Sequence, residues 1–194
     1  MRFKKISILV MAVAFLFPNL AKADDVFLDN NAISEFSDAN SSIVISEYNT
    51  GKIISKRGEN EKVSVNKLPN YLALYLLTDD LKNKKTSLDD KITINKGDDV
   101  LSKYQITKEL TIKDAIFLLE NENSSSLLEA IFTKYNVDVE KANSILGAMS
   151  LNNTKLENLE NSDSNTSSAK DITFLNSVIL KNYPELTEIT KNPE

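Results

Sequence analysis

The apolar residues in the first half of the chain change their spacing from that of strands to that of a helix. Residues 42–47 and 52–56 are short, largely apolar and rich in isoleucine, with a turn sequence at 48–51 between them. This predicts a β-hairpin in which Gly51 supplies the positive φ. From Leu68 to Lys82 apolar residues occupy most sides of a helix, which is typical of a helix buried in a core.

The second half of the chain has the spacing of several helices. Thr111 and Asp114 are placed as a capping box, which predicts a helix running to about Glu120, and Ser168 and Asp171 repeat that arrangement. The pattern also predicts helices over 127–135, 139–149 and from Ser168 to near Tyr183, a strand over 91–94, and loops over 121–126 and 152–167. The predicted fold class is therefore α+β or mixed α/β, mainly helical in its second half.

The N-terminus has the pattern of a secretory signal. Positive residues precede the 12-residue, largely apolar run from Ile6 to Phe17, and Ala21-Lys22-Ala23 follows as a cleavage site. That run is too short for a bilayer core of about 30 Å, so we predict cleavage after Ala23 and not a membrane anchor. We expect a signal peptide over 1–23, an N-terminal arm over 24–41, no transmembrane segment after cleavage, and export to the periplasm or cell envelope.

Composition removes several kinds of chemistry. Among the 194 residues there is no His and no Cys, which excludes a zinc site built on those ligands, a thiol nucleophile and a Ser-His-Asp triad. We expect no cofactor and no metal. Cleavage after Ala23 leaves 171 residues and changes the formal charge from −5 to −9. That acidity argues against nucleic acid and against docking on anionic lipid.

One motif could carry catalysis without His or Cys. Ser64 and Lys67 form Ser-x-x-Lys just before the buried helix. Within a helix the two side chains would share a face, and a desolvated lysine could act as base towards the serine. The alternative is a serine N-cap followed by a solvated lysine. Pro69 favours a helix that begins near Leu68 and leaves both residues outside it.

Several segments together resemble the D-alanyl-D-alanine carboxypeptidases, the low-molecular-mass penicillin-binding proteins. The resemblance implies a β-lactamase/transpeptidase-like fold, Ser64 as the acylated nucleophile, Lys67 as its base and peptidoglycan stem peptides as substrate. The segments are the hairpin with Asn49-Thr50-Gly51-Lys52, Ser64–Lys67 with its buried helix, Ser87-Leu88-Asp89-Asp90, Leu110-Thr111-Ile112-Lys113-Asp114, 151–156, Ser167-Ser168-Ala169-Lys170-Asp171 and Tyr183-Pro184-Glu185.

Two of the family's three motifs depart from the pattern. The Ser-x-Asn motif falls on Asn123-Ser124-Ser125, so Asn123 replaces its serine and Ser125 its asparagine. Lys-Thr-Gly does not occur in the chain. Residues 42–194 are therefore expected to be an incomplete catalytic domain without the Lys-Thr-Gly strand, and a protein partner could complete the sheet.

Three hypotheses remain open from the sequence. The first is an exported D-alanyl-D-alanine carboxypeptidase-like enzyme that is weak or inactive, because losing one part of a catalytic unit costs orders of magnitude in rate. The second is a degenerate binding or regulatory module of the envelope, or the relic of a truncated gene. The third is an unrelated exported α+β protein with a chance Ser-x-x-Lys.

Overall fold

The computed structural model describes residues 42–47 and 50–189. The predicted signal peptide (1–23), the whole of the predicted arm (24–41), and Tyr48 and Asn49 of the predicted turn lie outside the described residues. The strands are β1 (Ile43–Ser46), β2 (Ile53–Arg57), β3 (Val63–Ser64), β4 (Lys91–Thr93), β5 (Glu109–Thr111) and β6 (Thr166–Ser167). The helices are α1 (Leu68–Lys82), α2 (Asp99–Lys103), α3 (Ile112–Asn121), α4 (Ser125–Lys134), α5 (Val139–Ala148), α6 (Ala169–Asn182) and α7 (Leu186–Ile189).

Helix α1 is the centre of the fold. It packs against α3, α4 and α6, and its bounds are those predicted from the apolar pattern. The side chains of Leu68, Leu72 and Leu77 in this helix are fully buried, as is most of the helix surface that faces the core. Burying a leucine side chain contributes about 2 kcal/mol, so the leucines of α1 are a substantial part of the hydrophobic stability of the fold.

The predicted hairpin is present. Strands β1 and β2 pair antiparallel, with a register shift between Ile45 and Ser46. Gly51 has φ +70°, a conformation that residues with a Cβ rarely adopt, as the turn prediction required. Helix α6 packs against β1.

Strand β4 was predicted, over 91–94, whereas the short strands β3, β5 and β6 were missed by the sequence prediction. Residues 152–167 were predicted as loop, but Thr166 and Ser167 form β6, which pairs antiparallel with β3. The segment 109–111 forms β5 against β4 directly before α3. Strands this short show little alternation, and the prediction of a continuous loop was wrong at Thr166 and Ser167.

Helix starts follow their capping residues. Thr111 accepts a hydrogen bond from Asp114 N, and Ser168 accepts one from Asp171 N, as predicted. Helix α4 begins at Ser125, two residues before the predicted start, because Ser124 caps it by accepting from Leu127 N. Helices α2 and α7 were not predicted, since each has only four or five residues.

Ser168→Ala is expected to lower the free energy of unfolding by about 1 kcal/mol, because it removes the cap of α6 at a fully buried position. Urea denaturation followed by circular dichroism measures this change. Ser177→Ala is the matched control, because Ser177 lies inside the same helix and its hydroxyl only donates to Phe174 O. An equal loss in both variants would contradict the capping role.

Candidate active site

Ser64 lies on strand β3, outside helix α1. It is opposite Thr166 of β6 in the antiparallel register. The helix begins at Leu68 with Lys67 at its N-cap position and Pro69 in its first turn, where a missing N–H costs no helical hydrogen bond. The helical i, i+3 relation therefore does not hold between Ser64 and Lys67, as the position of Pro69 indicated.

The Ser64 hydroxyl is directed at the loop before β6. Its Oγ lies 2.7 Å from the backbone O of Asp163 and 3.2 Å from Oδ1 of the same residue. A hydroxyl has one proton to donate, and the carbonyl is the closer acceptor. The serine proton is thus directed at Asp163 and not at Lys67.

The Lys67 ammonium is directed at the C-terminal turn of α3. Its Nζ is 3.5 Å from Glu120 O, where the negative end of the helix dipole favours a cation. Burial lowers the pKa of Lys67, while the carboxylates of Glu120 and Glu122 raise it by a smaller amount. Desolvation also raises the pKa of the Glu120 carboxyl, and the charge of Lys67 opposes that rise. Solvent screens both effects, because the Glu120 side chain reaches the surface.

A buried asparagine fixes this end of α1. Asn70 is 3% exposed, and its Nδ2 donates to Leu119 O at 2.7 Å and to Glu122 O at 3.3 Å. It joins the first turn of α1 to the end of α3 and so holds Lys67 beside Glu120. Sequence reasoning missed it, since an asparagine within an apolar helix carries no local sign of its partners.

The predicted second-motif position lies close to the loop that binds the Ser64 hydroxyl. Asn123 Oδ1 accepts a hydrogen bond from Asn161 Nδ2 at 3.3 Å. Ser125 is the first residue of α4, and Ser124 donates to Asp98 Oδ2 at 2.7 Å. The side chain at the predicted serine position is therefore an amide that is hydrogen-bonded to the loop.

Asp98 organises the second-motif segment. Its carboxylate accepts hydrogen bonds from Leu101 N as the cap of α2, and from Ser124 Oγ and Ser126 N. Desolvation raises its pKa, but these hydrogen bonds outweigh it and leave the pKa of Asp98 below its ordinary value. The sequence pattern did not indicate this role, because its local sign was no more than an aspartate before a short helix.

A cavity of about 500 Å³ lies beside this segment and apart from Ser64. Phe132 and Val137 give it an apolar surface, while Glu129 and Glu160 add charge. Ser125 lines it, whereas Ser64 and Lys67 do not. The structure thus brings the second-motif position to the cavity and leaves the first motif outside it.

The family model of the D-alanyl-D-alanine carboxypeptidases matches residues 29–194. The chain belongs to this family. The resemblance inferred from the sequence is thereby confirmed. No curated protein sequence matches this carboxypeptidase homologue.

Solved penicillin-binding proteins share the fold. Penicillin-binding protein D2 of Listeria monocytogenes, in its ampicillin-bound form, is 16% identical with a TM-score of 0.64 over 78% of this chain and 66% of its own. Penicillin-binding protein 3 of Streptococcus pneumoniae, a peptidoglycan synthesis regulatory factor, is 18% identical with a TM-score of 0.67 over 81% and 55%. The carboxypeptidase DacD of Francisella tularensis is 16% identical with a TM-score of 0.64 over 89% and 44%.

These likenesses confirm the predicted fold class for the part that is shared. The carboxypeptidase homologue has the mixed helix and small-sheet structure of the β-lactamase/transpeptidase-like fold and spans between 44 and 66% of the length of the three structures. Ser64 and Lys67 as catalytic residues, and Asn123 and Ser125 as degenerate second-motif positions, stay predictions.

Proposed function

We propose that this D-alanyl-D-alanine carboxypeptidase homologue is an exported protein whose site reacts with peptidoglycan stem peptides weakly or not at all. The hydroxyl of Ser64 carries this proposal, because it donates to Asp163 O while Lys67 is held beside Glu120 O. Among the hydrogen bonds of the described residues, none joins the two side chains of the Ser-x-x-Lys motif.

Acylation would require the Ser64 hydroxyl to lose its proton while its oxygen forms a bond to the carbonyl carbon of the substrate. A lysine with a lowered pKa is suited to receive it, and burial lowers the pKa of Lys67. Its position is the obstacle, since general base catalysis requires hydrogen-bond reach to the proton that is transferred. The serine of the second motif, which could relay the proton, is replaced by Asn123. The expected outcome is a low rate with Ser64 as nucleophile.

Export is part of the proposal and rests on the signal pattern of residues 1–23. Across the part of the chain that the structure describes, every helix is too short or too polar to cross a membrane.

The second candidate function is a binding or regulatory module of the cell envelope. The cavity of about 500 Å³ favours it, because that volume suits a small ligand and the cavity does not include Ser64. A protein partner that adds a strand to the β1–β2 hairpin fits the same candidate. Ile53 and Ile54 on β2 are 38% and 50% exposed, and two-stranded sheets are marginally stable alone.

Covalent labelling with a fluorescent penicillin tests the first candidate. We expect slow labelling of the full chain that disappears in Ser64→Ala, drops strongly in Lys67→Ala and is unchanged in the surface control Ser102→Ala. Circular dichroism checks that each variant is folded. Fast labelling would contradict the weak site, and folded protein without any labelling would favour the binding module.

A further inference from the structure

The loop Glu157–Asn165, here called the strap, is bonded to the two residues that begin the Ser-x-x-Lys motif. Ser64 Oγ donates to Asp163 O at 2.7 Å, and Val65 N donates to Asn165 O at 2.8 Å. The nucleophile position therefore has its hydroxyl occupied by strap backbone. The neighbouring amide is occupied in the same way, and a backbone N–H beside a nucleophile is the kind of group that could otherwise stabilise an oxyanion.

One side chain shapes the strap. Asn165 is fully buried, and its Oδ1 accepts from Glu157 N at 2.9 Å and from Asn158 N at 3.2 Å. Its Nδ2 donates to Glu160 O at 2.9 Å. The amide of Asn165 thus ties the first four residues of the strap to the residue that bonds Val65.

The strap continues to the second-motif position. Asn161 Nδ2 donates to Asn123 Oδ1, so the loop spans the gap between Ser64 and the segment before α4. Its remaining residues are mostly polar: Asp163 and Ser164 are exposed, and Leu159 is half-buried against the core. A segment held by hydrogen bonds with little apolar burial opens at lower cost than the whole domain unfolds.

We propose that the strap is an autoinhibitory element: in the closed state it holds the hydroxyl of the half-buried Ser64 and the amide of Val65, and both become free to react when the strap detaches. Only the role of Ser64 as nucleophile rests on the proposed function; the engagement by the strap does not. The opening releases the Ser64 hydroxyl and the Val65 amide together, since both are bound within three residues of the same loop.

A single engineered cysteine tests accessibility without any catalysis. The chain has no cysteine, so Ser64→Cys introduces the only thiol. Its rate of reaction with dithionitrobenzoate is compared with that of Ser102→Cys, an exposed reference site on α2. We expect the thiol of Ser64→Cys to react at least about tenfold more slowly than the thiol of Ser102→Cys. Adding Asn165→Ala should accelerate the reaction at position 64 by about tenfold and leave the reaction at position 102 unchanged.

Asn143→Ala is the matched control. Asn143 also makes three side-chain hydrogen bonds: its Nδ2 donates to Val139 O and Leu156 O, and its Oδ1 accepts from Leu156 N, so none of them is to a residue of the strap. We expect it to leave the rate at position 64 unchanged. Equal rates at 64 and 102 in the intact strap would overturn the proposal, as would an unchanged rate with Asn165→Ala.

Hydrogen exchange separates strap opening from general unfolding. In the opened variant the Val65 amide should exchange faster while the amides of α1 keep their protection. If Asn165→Ala also deprotects α1, Asn165→Asp takes its place, because it keeps the acceptors for Glu157 N and Asn158 N and loses only the donor to Glu160 O. An unchanged rate at position 64 in that variant overturns the proposal. Penicillin labelling decides the proposed function independently, since the thiol reaction needs no active site.

Discussion

Asp171→Ala is expected to lower the free energy of unfolding by about 3 kcal/mol, because it removes two hydrogen bonds from half-buried donors to a buried carboxylate. Asp171 is 5% exposed, and its Oδ2 accepts from Asn153 N at 2.8 Å and from Thr154 Oγ1 at 2.9 Å. Thr154 Oγ1 also pairs with Ser167 Oγ, at 2.7 Å. Urea denaturation at neutral pH gives the measurement.

Asp171→Asn is the control for shape. It preserves volume, and its amide oxygen can accept from both donors, which share one oxygen of Asp171, but the hydrogen bonds lose their charge assistance. A smaller loss of about 1–2 kcal/mol is therefore expected. Thr154→Val removes the hydroxyl in the same cluster, and the double variant should lose less than the two single losses added, because both break one network. A loss below about 1 kcal/mol in Asp171→Ala would contradict the network.

This cluster also fixes the site. Ser167 is next to Thr166, and Thr166 is the residue opposite Ser64 in the β3–β6 pair. The segments 151–156 and 167–171, which both carry the family resemblance, are joined by these hydrogen bonds. Their joint presence in the sequence therefore has a physical reason: together they place the strand beside which Ser64 lies.

Sequence patterns were enough to predict the helices whose deciding contacts lie close together in the chain. The bounds of α1 followed from apolar residues on most sides of the helix and from Pro69 near its start. The starts of α3 and α6 followed from Thr111 and Ser168, whose side chains cap the turn that follows them in the chain. In each case the deciding contacts lie within four residues.

The orientation of the site could not be predicted in this way. Ser64 meets Asp163 across 99 positions, and Lys67 meets Glu120 across 53. The Ser-x-x-Lys motif marked the two residues, but their partners depend on how α3 and the strap pack against the start of α1. Such contacts leave no periodic pattern, which is why the strap and the buried amides of Asn70 and Asn165 were found only in the structure.

Asp98→Ala is expected to lower the free energy of unfolding by about 2–3 kcal/mol at pH 7, because one carboxylate serves three donors from two helices. Leu101 N is bonded at 2.9 Å, Ser124 Oγ at 2.7 Å and Ser126 N at 3.1 Å. Asp99→Asn is the matched control: Asp99 is the exposed neighbour in the first turn of α2, and a change within about 0.5 kcal/mol is expected there.

The contribution of Asp98 should depend on pH in a defined direction. Its pKa in the folded chain lies below the ordinary value, since the hydrogen bonds from Leu101, Ser124 and Ser126 outweigh desolvation. The ionised form is therefore favoured by folding. Its stabilisation is fully present above the unfolded pKa of about 3.9 and is lost as pH falls through the folded pKa. Denaturation of wild type and Asp98→Ala between pH 7 and pH 2.5 should show their difference shrinking only below about pH 4. A constant difference across that range would mean that the charge on Asp98 does not hold α2 to the second-motif segment.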